Sequence, residues 1–113
     1  MSIDGRGMAQ TYVDAINGGD LPTLVALFAG DAEVRNPVGE CSGRAEVEAF
    51  YRDVVIAAQL RLTPVRVVAE DAVVVLELEA TTPLGAPGNR ALTVDIFTLD
   101  ADGKVTSLDV YHR

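Results

Sequence analysis

The chain has 113 residues, 49% of them hydrophobic, and carries 17 acidic against 9 basic side chains for a net charge of −8. That length fits one domain, taken here as 1–113, and that apolar fraction excludes a disordered chain. The acidic balance argues against nucleic acid and anionic membranes, both of which select basic surfaces, and is compatible with a neutral, apolar small molecule. Cys41 is the single cysteine and His112 the single histidine, so neither an intrachain disulfide nor a zinc cluster can be built. A reducing cytoplasm is the expected compartment. No signal peptide is read at the N-terminus, and no apolar run reaches membrane-spanning length.

In chain order, Met8, Tyr12, Ala15 and Ile16 recur at helical spacing and predict a helix from about Gly7 to Asn17, ended by Gly18-Gly19. Asp20 caps a second, short helix with Pro22 in its first turn and Leu24, Val25, Leu27 and Phe28 on its inner face. Ala32 to Arg35 is expected to be extended before Asn36-Pro37-Val38-Gly39, because a residue preceding proline is driven from helical angles. Gly43 opens a third helix of about a dozen residues, with Val47, Phe50, Tyr51, Val54 and Val55 as its apolar stripe.

The remainder reads as strands. Arg61 to Ala69 is one, with Pro64 marking an edge or a bulge. Ala72, Val74, Leu76, Leu78 and Ala80 alternate with Asp71, Glu77 and Glu79 in the manner of a half-buried antiparallel strand. Thr82 to Asn89 is a loop. Ala91 to Leu99 and Lys104 to His112 form a hairpin across Asp100-Ala101-Asp102-Gly103. Helices first and strands second predict an α+β fold: three N-terminal helices on a curved antiparallel sheet, making a cone-shaped domain around a closed apolar pocket.

Asp95 is the residue least suited to this pattern. It shares a strand face with Ala91, Thr93, Phe97 and Leu99, while Leu92, Val94 and Ile96 occupy the other face, so the strand is expected to be central and covered on both sides. A carboxyl buried there without a cation has its pKa raised and can remain neutral as a hydrogen-bond donor. The alternative is a carboxylate satisfied by an arginine or an edge amide. Tyr12 and Tyr51 belong to apolar stripes, yet their hydroxyls need partners; each reads singly as a core tyrosine, and together with Asp95 as a shared network.

Residues 18 to 39, Gly43-Arg44 on to Ala49-Phe50-Tyr51, and Thr93-Val94-Asp95-Ile96-Phe97 before the Asp-Gly turn resemble the bacterial Δ5-3-ketosteroid isomerases. The wider likeness is to nuclear transport factor 2-like and SnoaL-like domains. The resemblance covers nearly the whole chain. It implies that Tyr12 and a protonated Asp95 form an oxyanion hole, with Tyr51 supporting Tyr12. Phe28, Val38, Phe50, Phe97 and His112 are then expected in the substrate-pocket wall. Phe28 stands where relatives can carry a further tyrosine, which shortens the network.

The departure is at the base. The family places a carboxylate before Pro-x-Gly, to carry a proton from C4 to C6 of the steroid, and here that residue is Asn36. An amide cannot accept and return a proton. Three accounts stay open: a deliberate base-removed (Asp to Asn) form, which the isosteric change favours; a natural relative that binds without isomerising; or a substitute acid among Glu33, Glu40 and Asp109. The resemblance implies a low-activity steroid isomerase, a homodimer, and no cofactor or metal. The rivals are a SnoaL-type polyketide cyclase and a non-catalytic small-hydrophobe-binding module of the same fold.

Overall fold

The structure, a computed structural model, describes residues 4–85, 88 and 90–112. Three helical segments precede and interleave with six strands: α1 (Gly5–Asn17), α2 (Leu21–Ala26), β1 (Phe28–Asn36), β2 (Gly39–Ser42), α3 (Arg44–Phe50) continuing as a π-helical turn over Tyr51–Ile56, then β3 (Arg61–Glu70), β4 (Val73–Thr81), β5 (Ala91–Leu99) and β6 (Val105–His112). The α+β expectation is met: the helices cover one face of a single sheet of order β2-β1-β6-β5-β4-β3.

Local chemistry sets the helix ends. Asp4 Oδ1 accepts from the Gly7 N–H at 2.8 Å, so α1 begins at Gly5, two residues before the expected start at Gly7. Asp20 caps α2 in the same way through the Thr23 N–H, with Pro22 in the first turn. Gly5 lets α1 approach the sheet closely, since a Cβ there would lie 2.5 Å from Val74 Cγ2. The Asn17 side chain then pairs with both backbone groups of Leu62, tying the end of α1 to the edge strand β3.

Four expectations are corrected. The sheet is mixed: β1 runs parallel to β6, with Val34 beside Leu108, and the remaining pairs are antiparallel. A parallel partner seventy-odd residues away leaves no local turn signal, so the pairing was invisible to hairpin reading. Phe28 does not end the second helix but starts β1; a buried strand start and a helix stripe both read as apolar. The short strand β2 was unpredicted, because four mostly exposed residues carry no alternation. The third helix has its expected length, but its second half is π-helical.

Pro64 sits where both of its readings said: β3 is an edge strand and its register with β4 shifts between Pro64 and Arg66. The β5–β6 hairpin forms across Asp100–Gly103, with Asp100 Oδ1 accepting from the N–H groups of Asp102 and Lys104. Within the loop expected from Thr82 to Asn89, Ala86, Pro87 and Asn89 lie outside the described residues. The core fills the helix-covered side of the sheet, where Leu24, Val34, Val47, Leu76, Phe97 and Leu108 are fully buried. β5 is central, as expected, but only one of its faces is covered by this chain; Leu92, Val94 and Ile96 on the other are half-buried. Among the described residues, no helix is long and apolar enough to cross a membrane.

Candidate active site

Beyond the packed core, α1, the π-helical turn, the β1–β2 turn and the strands β4, β5 and β6 enclose a cavity of about 480 Å³. Such a volume lies in the range of small-molecule sites. Its wall is mainly apolar, contributed by Ile16, Val55, Leu60, Leu62, Leu78 and Val110, with Tyr12, Tyr51, Thr93 and Asp95 as inward polar groups. The pocket is not closed: exposed Pro37, Val38, Thr81, Arg90 and His112 also line it and form a rim.

Each polar group arrives by a different element. Tyr12 faces inward because α1 buries Met8, Tyr12, Ala15 and Ile16 on one stripe. Tyr51 opens the π-helical turn, whose wider winding buries both Tyr51 and Val55. Thr93 and Asp95 are two apart on β5 and share its covered face. The Tyr12 and Tyr51 hydroxyls are 2.9 Å apart, and their rings meet edge-on. Asp95 is 4% exposed, and its Oδ1 accepts a hydrogen bond from Thr93 Oγ1 at 3.1 Å.

Burial dominates the electrostatics. It lifts the Tyr12 hydroxyl well above the ordinary phenol value, helped by the neighbouring Tyr51 and Asp95. Burial likewise raises Tyr51. It pushes Asp95 up to about 7, against which the Thr93 hydroxyl works by favouring the charged form. Among the described residues, neither an arginine nor an edge amide bonds to Asp95; its partner is the Thr93 hydroxyl.

Asn36 lines the cavity beside Pro37 and Val38. Its Oδ1 accepts from the Val38 N–H at 2.9 Å, an Asx turn that shapes the β1–β2 connection. The three substitute acids are elsewhere. Glu33 and Asp109 both bind Arg35, at 2.7 and 2.6 Å, on the sheet face opposite the cavity. Glu40 is exposed and absent from the lining. The substitute-acid account is thereby corrected: strand alternation from Val34 turns Glu33 and Arg35 outward while Asn36 turns in.

Of the expected wall residues, Val38, Phe50 and His112 line the cavity. Phe28 and Phe97 do not; they are 2% and 0% exposed and lie in the core behind the tyrosines, Phe97 edge-on to Tyr12 and Phe28 tilted against Tyr51. Phe97 shares the covered face of β5 with Asp95 but sits two residues deeper, under the helices. The hydroxyl pair therefore has a phenyl ring at Phe28, with no third tyrosine to extend it. Thr93, the bonded neighbour of Asp95, and Arg90, 3.5 Å from Glu79 at the rim, were not singled out from sequence. The Thr-x-Asp spacing on a strand was the available signal for Thr93.

Residues 9–108 match the SnoaL-like domain family. A steroid Delta-isomerase from Nocardioides simplex is 34% identical over 114 residues, covering 98% of this chain and 91% of that protein. The crystal structure of a candidate ketosteroid isomerase from Kribbella flavida superposes with a TM-score of 0.83 at 22% identity, over 96% of this chain and 77% of that one. SalBIII, described as an epoxide hydrolase/cyclase-like enzyme in pyran ring formation in the polyether salinomycin, superposes with a TM-score of 0.80 at 28% identity, over 96% and 89% of the two chains. With the helices on their mixed sheet and the match spanning nearly its whole length, the chain belongs to the SnoaL-like, nuclear transport factor 2-like family and is a homologue of steroid Delta-isomerase.

Proposed function

We propose that this chain binds a flat, apolar 3-ketosteroid and is a low-turnover form of a steroid Δ5-isomerase. The observation that carries this reading is the convergence of Tyr12, Tyr51 and Asp95 on one apolar cavity, in a chain homologous to a steroid isomerase. Either hydroxyl of the Tyr12 and Tyr51 pair can be the donor; when a ligand oxygen takes the Tyr12 proton, Tyr51 can turn its own proton to the Tyr12 oxygen. Asp95, neutral below about pH 7, offers a second proton to the ligand oxygen. A dienolate formed by loss of a C4 proton would spread its charge onto that oxygen, and both donors would strengthen as it did.

The proton carrier is the missing part. Asn36 occupies the position from which a carboxylate would take the C4 proton and return it at C6, and its amide can do neither. Binding is therefore retained while turnover is low. Asn36→Asp is expected to raise isomerisation of a Δ5-3-ketosteroid by about 10²–10⁴-fold, the usual contribution of a placed general base. The new carboxylate can keep the bond from the Val38 N–H, so the turn survives. An unchanged rate, followed by the absorbance of the conjugated product, would sink the isomerase reading.

A cyclase of the SnoaL type is the second reading. It is favoured by one observation: Asp95 is the sole carboxyl among the cavity-lining residues described, and burial brings it to about 7, where it can give and take a proton. Turnover of a polyketide ester by the unmodified chain, with no gain on steroid for Asn36→Asp, would select this reading.

The partner on the protein side is proposed to be a second copy of the chain. The uncovered sheet face carries the apolar row Val68, Val75 and Ile96, with Val94 between Glu77 and Tyr111 in the next row, and a second copy of the chain would cover these side chains.

A further inference from the structure

The Thr93 hydroxyl is the one hydrogen bond that Asp95 makes among the described residues, and it goes to Oδ1 alone. No fully buried side-chain oxygen among those residues lacks a partner, so Oδ2, which makes no bond, opens on the cavity that Asp95 lines. The two carboxyl oxygens thus have different surroundings. One is an acceptor fixed against the strand, and the other faces the ligand space.

We propose that Thr93 is a positioning residue for Asp95: its hydroxyl, donated to Oδ1, holds the carboxyl in one orientation and leaves Oδ2 as the oxygen that carries the proton into the cavity. This rests on the reading of Asp95 as a ligand-facing donor. Position 93 is buried and lies two residues along β5, so its side chain runs parallel to that of Asp95 on the same face. A valine there would fill the same space with no donor, and the carboxyl would lose the bond that favours its charged form.

Few other groups compete for this role. The sheet partners of Asp95 are Leu76 on β4 and Val110 on β6, both apolar. Tyr12 comes from α1 and Tyr51 from the π-helical turn, bonded to each other. His112 pairs beside Thr93 on β6 and lies at the exposed rim. Arg90 is at the rim with Glu79, and Arg35, Glu33 and Asp109 are across the sheet. Desolvation raises the pH at which Asp95 stops being a donor, and Thr93 is the near neighbour that tunes it back down.

The test is carbon-13 NMR titration of the aspartate carboxyls in the ligand-free protein, with Asp95 assigned by the loss of its signal in Asp95→Asn. Thr93→Val is expected to move the Asp95 midpoint up by about one pH unit, and Thr93→Ser to restore it. An unchanged midpoint in Thr93→Val overturns the proposal. A second measurement separates it from the functional reading: the affinity for a Δ4-3-ketosteroid, which has no titrating group of its own. Wild-type affinity is expected to fall as pH rises through the Asp95 midpoint, with the fall displaced to higher pH in Thr93→Val. If the NMR midpoint moves and steroid affinity is flat with pH, Thr93 holds the carboxyl as proposed while Asp95 is not the ligand's donor, and the steroid reading fails.

Discussion

Asp95 is held at a cost that can be measured. Its pKa rises from the ordinary 3.8 to about 7 on folding, chiefly through desolvation. The folded state therefore binds a proton that the unfolded state has lost between these values. Stability from this group is fully present below pH 3.8 and is lost as pH rises through about 7. A shift of this size corresponds to about 4 kcal/mol. Asp95→Asn is expected to be more stable than the parent at pH 8, by up to that amount, and no more stable at pH 4. Urea unfolding of both proteins at the two pH values checks the sign; a variant less stable at pH 8 contradicts the burial argument. The residue was legible in the sequence because a lone acid in an apolar strand has few innocent explanations. Its partner was not, because threonine is ordinary on a strand and only the side-chain geometry reveals what its hydroxyl meets.

At the level of elements, helix packing and strand alternation decide which residues reach the cavity. α1 lies against β3 and β4 with Gly5 at the contact, where an added Cβ would meet Val74 at 2.5 Å and Ala69 at 3.3 Å. Both are short side chains with little freedom to move away. Gly5→Ala is expected to lower stability by about 1–3 kcal/mol through overpacking. Because α1 also carries Tyr12, steroid affinity should fall with it, and thermal melts alongside ligand titration measure both. The helix stripes placing Tyr12 and Tyr51 indoors were readable from their spacing. The π-helical turn was not, since winding over Tyr51–Ile56 answers to the packing of that segment rather than to a residue signature. The same holds for Phe28 and Phe97: an aromatic on an inward face is core or pocket wall according to how deep its element runs.

For the whole molecule, the outer face of β3 to β6, with its row of Val68, Val75 and Ile96, is the feature with a consequence in solution. Val75 and Ile96 are sheet neighbours near its middle, beside Val68. Wild-type protein is expected to sediment as a dimer, and Ile96→Arg as a monomer with its fold intact; a monomeric wild type would reject the proposed partner. The sequence by itself determined the fold class, the helix stripes, the β5–β6 hairpin and the three inward groups Tyr12, Tyr51 and Asp95. These follow from periodicity and turn chemistry, which act over a few residues and are written along the chain. Only the tertiary structure decided that β1 lies parallel to β6, that Glu33 and Asp109 are held by Arg35 away from the cavity, and that Thr93 is bonded to Asp95. Those facts depend on which distant strands become neighbours and on which side of the sheet each residue falls, and a one-residue change of register would reverse them.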